Sequence, residues 1–139
     1  MQNSIKIVFL LLFLLQVSLN AKEYAIVSSY PFTKLSLNKI KALFLKKSNY
    51  IGEIKIVPLN LSLGDKARKS FEKNVLSMNF SQLKSYWTKQ HYLGVRPPIS
   101  MKSQKSMKAF IKNVQGAIGY IEVKELDNEI NVIYKWQDK

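Results

Sequence analysis

Residues 60–71 read Asn-Leu-Ser-Leu-Gly-Asp-Lys-Ala-Arg-Lys-Ser-Phe, and the fold is decided by what flanks them. Before them lies a short apolar run, residues 54–58, that reads as a buried strand. After them Ala67, Phe71, Val75 and Leu76 recur at helical spacing, which predicts a helix over about residues 65–76. A strand that ends in a glycine loop and opens a helix gathers free backbone N–H groups at one point. Anions collect at such points, because the first N–H groups of a helix lack internal partners and the macrodipole is positive there. The same pattern also describes an ordinary strand-to-helix turn, with Gly64 for flexibility and Asp65 as the cap.

Upstream, Tyr24–Ser28 is a strand candidate, followed by the turn residues Ser29, Pro31 and Thr33. Ser36 reads as the N-cap of a helix that carries Leu37, Ile40, Leu43 and Phe44 on one face. Residues 54–57 form the second strand, with Pro58 closing it at an edge or strand end. Downstream, Asn79 with Gln82 predicts a capping box, and the helix it opens carries Leu83, Tyr86 and Trp87 and stops near Gly94. Tyr86 and Trp87 read as core, with an exposed partner-binding patch as the alternative. Pro97 and Pro98 impose an extended link. Ser103 caps a further helix with Met107, Phe110, Ile111 and Val114 facing inward, ended by Gly116. Residues 117–123 and 131–136 are the last strands, and Gly119 is expected to permit close packing in the first of them. Strands alternating with helices predict an α/β domain with a mostly parallel sheet flanked by helices.

The N-terminus reads as an address. Lys6 precedes an unbroken apolar run over residues 7–15, a more polar exit follows, and Ala21 stands at a cleavage position. Residues 1–21 therefore match a secretory signal peptide, and residues 22–139 form one domain, exported to the periplasm and not stably inserted in the membrane once the signal is cleaved. A retained signal anchor is the alternative. The chain has no cysteine and one histidine, His91, which argues against disulfides, thiolate metal sites and His-dependent triads. No acid/base pair stands at a recognisable spacing, so neither an enzyme nor a cofactor or metal is expected. The formal charge is +13, nearly all of it lysine, with Arg68 and Arg96 the two arginines. An exported protein so charged favours anionic lipid headgroups, small anions or acidic partners, and nucleic acid is a poor fit to the address.

Four segments together resemble one family. Residues 37–47, Leu-Asn-Lys-Ile-Lys-Ala-Leu-Phe-Leu-Lys-Lys, resemble the helix and Ile-Phe-Leu-Gly-Lys segment of phosphate-binding-protein-like (type 2) periplasmic domains. Residues 57–71 resemble their strand, loop and Arg-x-x-Phe helix. Tyr86 and Trp87 followed by Gly94, Pro97 and Pro98 resemble the Tyr-Trp, Phe-x-Gly, Pro-Pro run of their short single-lobe members. Residues 116–120, Gly-Ala-Ile-Gly-Tyr, resemble their closing strand. The resemblance implies a single lobe of a periplasmic-binding-protein-like fold, related to the substrate-binding components of phosphate ABC transporters. It further implies phosphate or another small anion as ligand, and an ABC transporter or another envelope protein as partner.

In the larger relatives the anion loop reads Gly-Ser-Gly-Thr-Arg. Aligned on Gly64 and Arg68, this chain has Asp65, Lys66 and Ala67 in between, so both hydroxyls are lost. A carboxylate at Asp65 stands where an anion needs donors, and Lys66 offsets it with a flexible charge only. Restoring Ser at 65 and Thr at 67 is expected to repair part of the site. Ligands of α/β domains gather beyond the carboxyl ends of the strands. The candidate ligand-binding residues are therefore Ser28, Ser29, Asn60, Gly64, Lys66, Arg68 and Ser103, with Ser62 beside them. Each is also a plausible turn, capping or surface-pairing residue. The alternative function is a structural or interaction protein that has lost its ligand and docks onto an envelope component.

Overall fold

The computed structural model describes residues 21–138 together with Gln2. The apolar run of the expected signal peptide lies outside the described residues, and no helix among those described is long and apolar enough to cross a membrane. The chain runs β1 (Glu23–Ser28), α1 (Leu37–Phe44), a small hairpin of β2 (Tyr50–Ile51) and β3 (Ile54–Lys55), then β4 (Val57–Leu61). It continues through α2 (Lys66–Phe71), a π-helical turn (Glu72–Leu76), α3 (Phe80–Tyr92), β5 (Ile99–Met101) and α4 (Gln104–Asn113). β6 (Ala117–Glu122), a 3₁₀ turn and β7 (Asn131–Gln137) complete it.

Five strands form one sheet in the order β5-β4-β6-β1-β7. β4 pairs parallel with β5 and β6, whereas β1 pairs antiparallel with both β6 and β7. Four strands thus share a direction, as the α/β pattern predicts, and β1 alone runs against them. The expected caps are in place: Ser36 accepts from the Lys39 N–H, and Asn79 with Gln82 and Ser103 with Ser106 form capping boxes.

Three boundaries differ from the sequence reading, each for a tertiary reason. The second sheet strand is Val57–Leu61, not residues 54–57, and Pro58 lies within it. The Val57 N–H bonds the Gly116 carbonyl on the β6 side, so the Pro58 nitrogen faces the other way. On that side pairing with β5 begins only at Leu59, and no ladder bond is lost. β5 escapes a sequence reading because it is three residues long, largely exposed and without alternation. The helix over residues 65–76 is α-helical only to Phe71, where it widens into the π turn, and Ser77 closes it in the left-handed region at φ 55°.

The sheet divides the core. Tyr24, Tyr120 and Trp136 point to the face covered by α1 and α2, where Phe71 stacks on Tyr120 with ring centroids 4.3 Å apart and Phe44 leans on Phe71 at 4.7 Å. Successive strand residues face opposite sides, so Gly119 meets α4 on the other face. A side chain at Gly119 would lie 2.6 Å from the Met107 sulfur, which is the close packing expected there. Trp136 is the buried tryptophan, its Nε1 donating to Ser70 Oγ at 3.0 Å. Trp87, expected in the core, is only partly buried at its margin, edge-on to Tyr86, whose hydroxyl donates to the Leu45 carbonyl. Truncating Trp87 therefore does not open a core cavity.

Candidate functional site

The strand-to-helix turn at the end of β4 is the centre of the candidate site. Gly64, at φ +87°, turns the chain, and the Asp65 N–H bonds back to the Ser62 carbonyl. Asp65 is the N-cap of α2: its Oδ1 accepts the Ala67 N–H at 2.8 Å. The chain's own carboxylate thus takes the donor that an anion at this helix start would use. Ala67 is buried against the core, so a threonine there would carry its hydroxyl into apolar packing. The pair of restored hydroxyls expected to repair the loop is therefore corrected to position 65 alone.

Arg68 lies partly buried one turn into α2. Its Nε donates to Glu72 Oε1 at 2.7 Å and its Nη1 to the Leu61 carbonyl at 2.8 Å. Two of its five N–H donors are spent locally, and an anion would face the Glu72 carboxylate beside it. Asn60 is held from the opposite side. The Tyr120 hydroxyl accepts the Leu61 N–H at 3.1 Å and donates to Asn60 Oδ1. Burial pushes the Tyr120 pKa up, so this hydroxyl stays protonated and keeps its donor role. A single linked set of groups, Asn60–Tyr120–Leu61–Arg68–Glu72, fixes the end of β4 to β6 and to α2.

Leu61 pairs with Met101, which brings the start of α4 to the same edge of the sheet. Ser62 Oγ donates to the Met101 carbonyl at 3.3 Å, and Ser103 Oγ accepts the Ser106 N–H at 3.1 Å as the α4 cap. Asn60, Ser62, Gly64, Lys66, Arg68 and Ser103 therefore share one edge, with Lys66 exposed. Ser28 and Ser29 do not belong there. Because β1 runs antiparallel, its carboxyl end lies at the opposite end of the sheet, where Val27 is level with Gly119, close to where Val57 and Pro58 at the start of β4 pair with Ala117 and Ile118. Ser28 is buried with its Oγ accepting the Tyr30 N–H, and Ser29 Oγ donates to the Ile111 carbonyl at 2.7 Å. The structure places both away from that edge, each in a local or packing hydrogen bond.

Tyr120 and Glu72 complete the site although neither was among the candidates. Glu72 follows Arg68 at the (i, i+4) spacing that pairs charges on a helix, a signal present in the sequence. Tyr120 meets Asn60 only through the β4–β6 register, for which no local signal exists. Among the described residues no group of three or more His, Cys, Asp or Glu side chains is arranged to hold a metal ion.

No protein-family model and no curated protein sequence matches this chain. Solved structures do match. A protein of Clostridium perfringens described as a phosphate ABC transporter substrate-binding protein, with phosphate bound, superposes at TM-score 0.66 and 17% identity. An ABC-type phosphate transport receptor from Vibrio cholerae matches at 0.65 and 16%, and PstS from Borrelia burgdorferi at 0.62 and 13%. Each match covers 81% of this chain and 44%, 46% and 47% of the other chain respectively. This chain therefore shares the fold of part of these phosphate-transport proteins, and it spans less than half the length of the solved structures it matches.

Proposed function

We propose that this chain is an exported, solute-binding-like protein built as a single lobe, with residues 1–21 as its signal peptide and residues 22–139 as its domain. It engages phosphate or a similar small anion weakly, at the edge formed by Asn60, Gly64, Lys66, Arg68 and Ser103, and works beside an ABC-type transporter or another envelope component. The observation that carries this reading is the fold shared with phosphate-transport receptors over four-fifths of the chain. An anion at this edge faces water, where each charge contact is screened. The resemblance to substrate-binding proteins, which are not catalysts, also argues against an enzyme.

The second reading is a docking protein with no solute. It is favoured by Asp65 occupying the helix start and by Arg68 being engaged with Glu72 and Leu61. Titration calorimetry separates the two. Wild type is expected to bind inorganic phosphate with a Kd of about 1 mM or weaker, equivalent to ~4 kcal/mol. Glu72→Gln removes the adjacent negative charge and weakens the hold on the Arg68 Nε donor, and should tighten binding about fivefold, or ~1 kcal/mol. Absence of binding by both proteins would leave only the docking reading.

Export is checked separately. The mature protein is expected to begin near Lys22, following the apolar run and Ala21. Intact-mass measurement on the envelope fraction reads this directly, and a full-length mass in the membrane fraction would identify the segment as an anchor.

A further inference from the structure

We infer that the face around α2 is a docking surface for an anionic lipid bilayer. Lys22, Lys66, Lys69 and Lys73 line one surface hollow, together with Tyr24, Ser70 and Asp138. An open groove of about 590 Å³ adjoins it, sharing Lys69 and Lys73, and presents Leu63, Met78 and Phe80. Leu63 is 68% and Phe80 63% exposed, both bulky and both at the outer margin of the fold.

The charges on this face are only partly answered from within. Lys22 sits 3.7 Å from Glu122, and Asp138, which accepts from Ser70 and Asn74, keeps one negative charge in the hollow. Asp65 is spent as the helix cap and Glu72 on Arg68. Among the described residues Lys66 and Lys69 form no ion pair. On the opposite side of the sheet Lys108 and Lys112 of α4 are both paired to Asp127. Lys66, Lys69 and Lys73 thus stand on the α2 side next to protruding apolar side chains.

A bilayer with acidic headgroups answers both features at once: phosphates for the lysines, and the headgroup–acyl boundary for Leu63 and Phe80. The occupant is further indicated by chain geometry. The apolar run over residues 7–15 leads to Lys22, which itself lines the hollow. A retained leader would emerge at this face, and a cleaved one would leave its new amino group there as a further cation. This inference draws on the export reading for its membrane and is independent of whether the lobe takes a solute.

Co-sedimentation of the purified full protein with phosphatidylcholine vesicles, with and without phosphatidylglycerol, tests it at fixed ionic strength. Phosphatidylglycerol should strengthen partitioning at least about tenfold, since each lysine near an anionic surface adds attraction. Lys66→Glu with Lys69→Glu should return binding to the phosphatidylcholine level. Leu63→Ser with Phe80→Ser, which leaves net charge unchanged, should weaken it severalfold. Lys89→Glu with Lys105→Glu alters net charge equally, at sites on α3 and α4 away from the hollow, and should retain most of the binding. Millimolar inorganic phosphate at constant ionic strength should displace nothing. Equal loss from both lysine pairs, no effect of the apolar pair, indifference to phosphatidylglycerol, or displacement by free phosphate would each overturn the assignment. Circular dichroism of every variant confirms that the exposed substitutions leave the fold intact.

Discussion

Phe71→Ala is expected to destabilise the protein by ~3–5 kcal/mol, the usual cost of truncating a fully buried aromatic. Phe71 has no exposed surface, stacks on Tyr120 at 4.3 Å, leans on Phe44 at 4.7 Å and reaches Trp136 at 6.0 Å. These rings join α1 and α2 to β6 and β7, so the cavity left behind would be lined by stiff aromatic side chains that collapse poorly around it. The melting temperature should fall by roughly 10–20 °C in a domain of this size. Phe71→Leu keeps most of the volume and should cost less than half as much. Phe71 also ends the helix that Asp65 caps, and its loss should loosen the loop at Gly64 before the domain melts. Hydrogen exchange of the Ala67 amide, bound to Asp65, reports that loosening. A melting temperature within a degree or two of wild type would show that α2 is not anchored by this ring.

Gly116→Ala is expected to cost at least ~3 kcal/mol, a large effect for one methyl group, because two penalties coincide. Gly116 has φ +82°, a left-handed conformation unfavourable to any side chain. An added Cβ would also stand 2.1 Å from the Lys55 carbonyl oxygen, a backbone atom that cannot swing aside. The approach is that close because the Val57 N–H bonds the Gly116 carbonyl, which sets β4 beside β6 at the first step of their register. Gly64→Ala is the control: φ is +87° but a Cβ there meets nothing within 4 Å. It should cost ~1 kcal/mol, the conformational part alone. Urea unfolding measures both, and equal losses at the two positions would show that the β4–β6 approach can relax.

The helix starts were legible before any coordinates, because caps are local. Ser36, Asn79 with Gln82, and Ser103 each satisfy N–H groups two or three residues away, and short-range spacing encodes that directly. Tyr24, Phe71 and Met107 are buried as their apolar periodicity requires. The α/β order, and the resemblance carried by residues 37–47, 57–71 and 116–120, led to the fold that the superposed transport receptors share. The Arg68–Glu72 pair was also within reach, since helical spacing alone makes them neighbours.

Direction and register were not legible. Nothing within residues 23–28 says that β1 runs against its neighbours, and that one reversal removes Ser28 and Ser29 from the edge that holds Asn60 and Gly64. Strand direction depends on which partners a strand meets, and those partners here lie about a hundred residues away. Pro58 could be read as a strand end because a proline lacks its N–H; only the late start of β5 pairing makes its place inside β4 free of cost. Tyr120 likewise holds Asn60 and Leu61 across sixty residues of sequence, through a register that no local pattern specifies. The sequence by itself determined the elements, their caps and their buried faces, since those are set by interactions within a turn or two of helix. The tertiary structure decided which polar groups share an edge and which are already satisfied, since hydrogen bonds and ion pairs between distant segments exist only once the sheet has assembled.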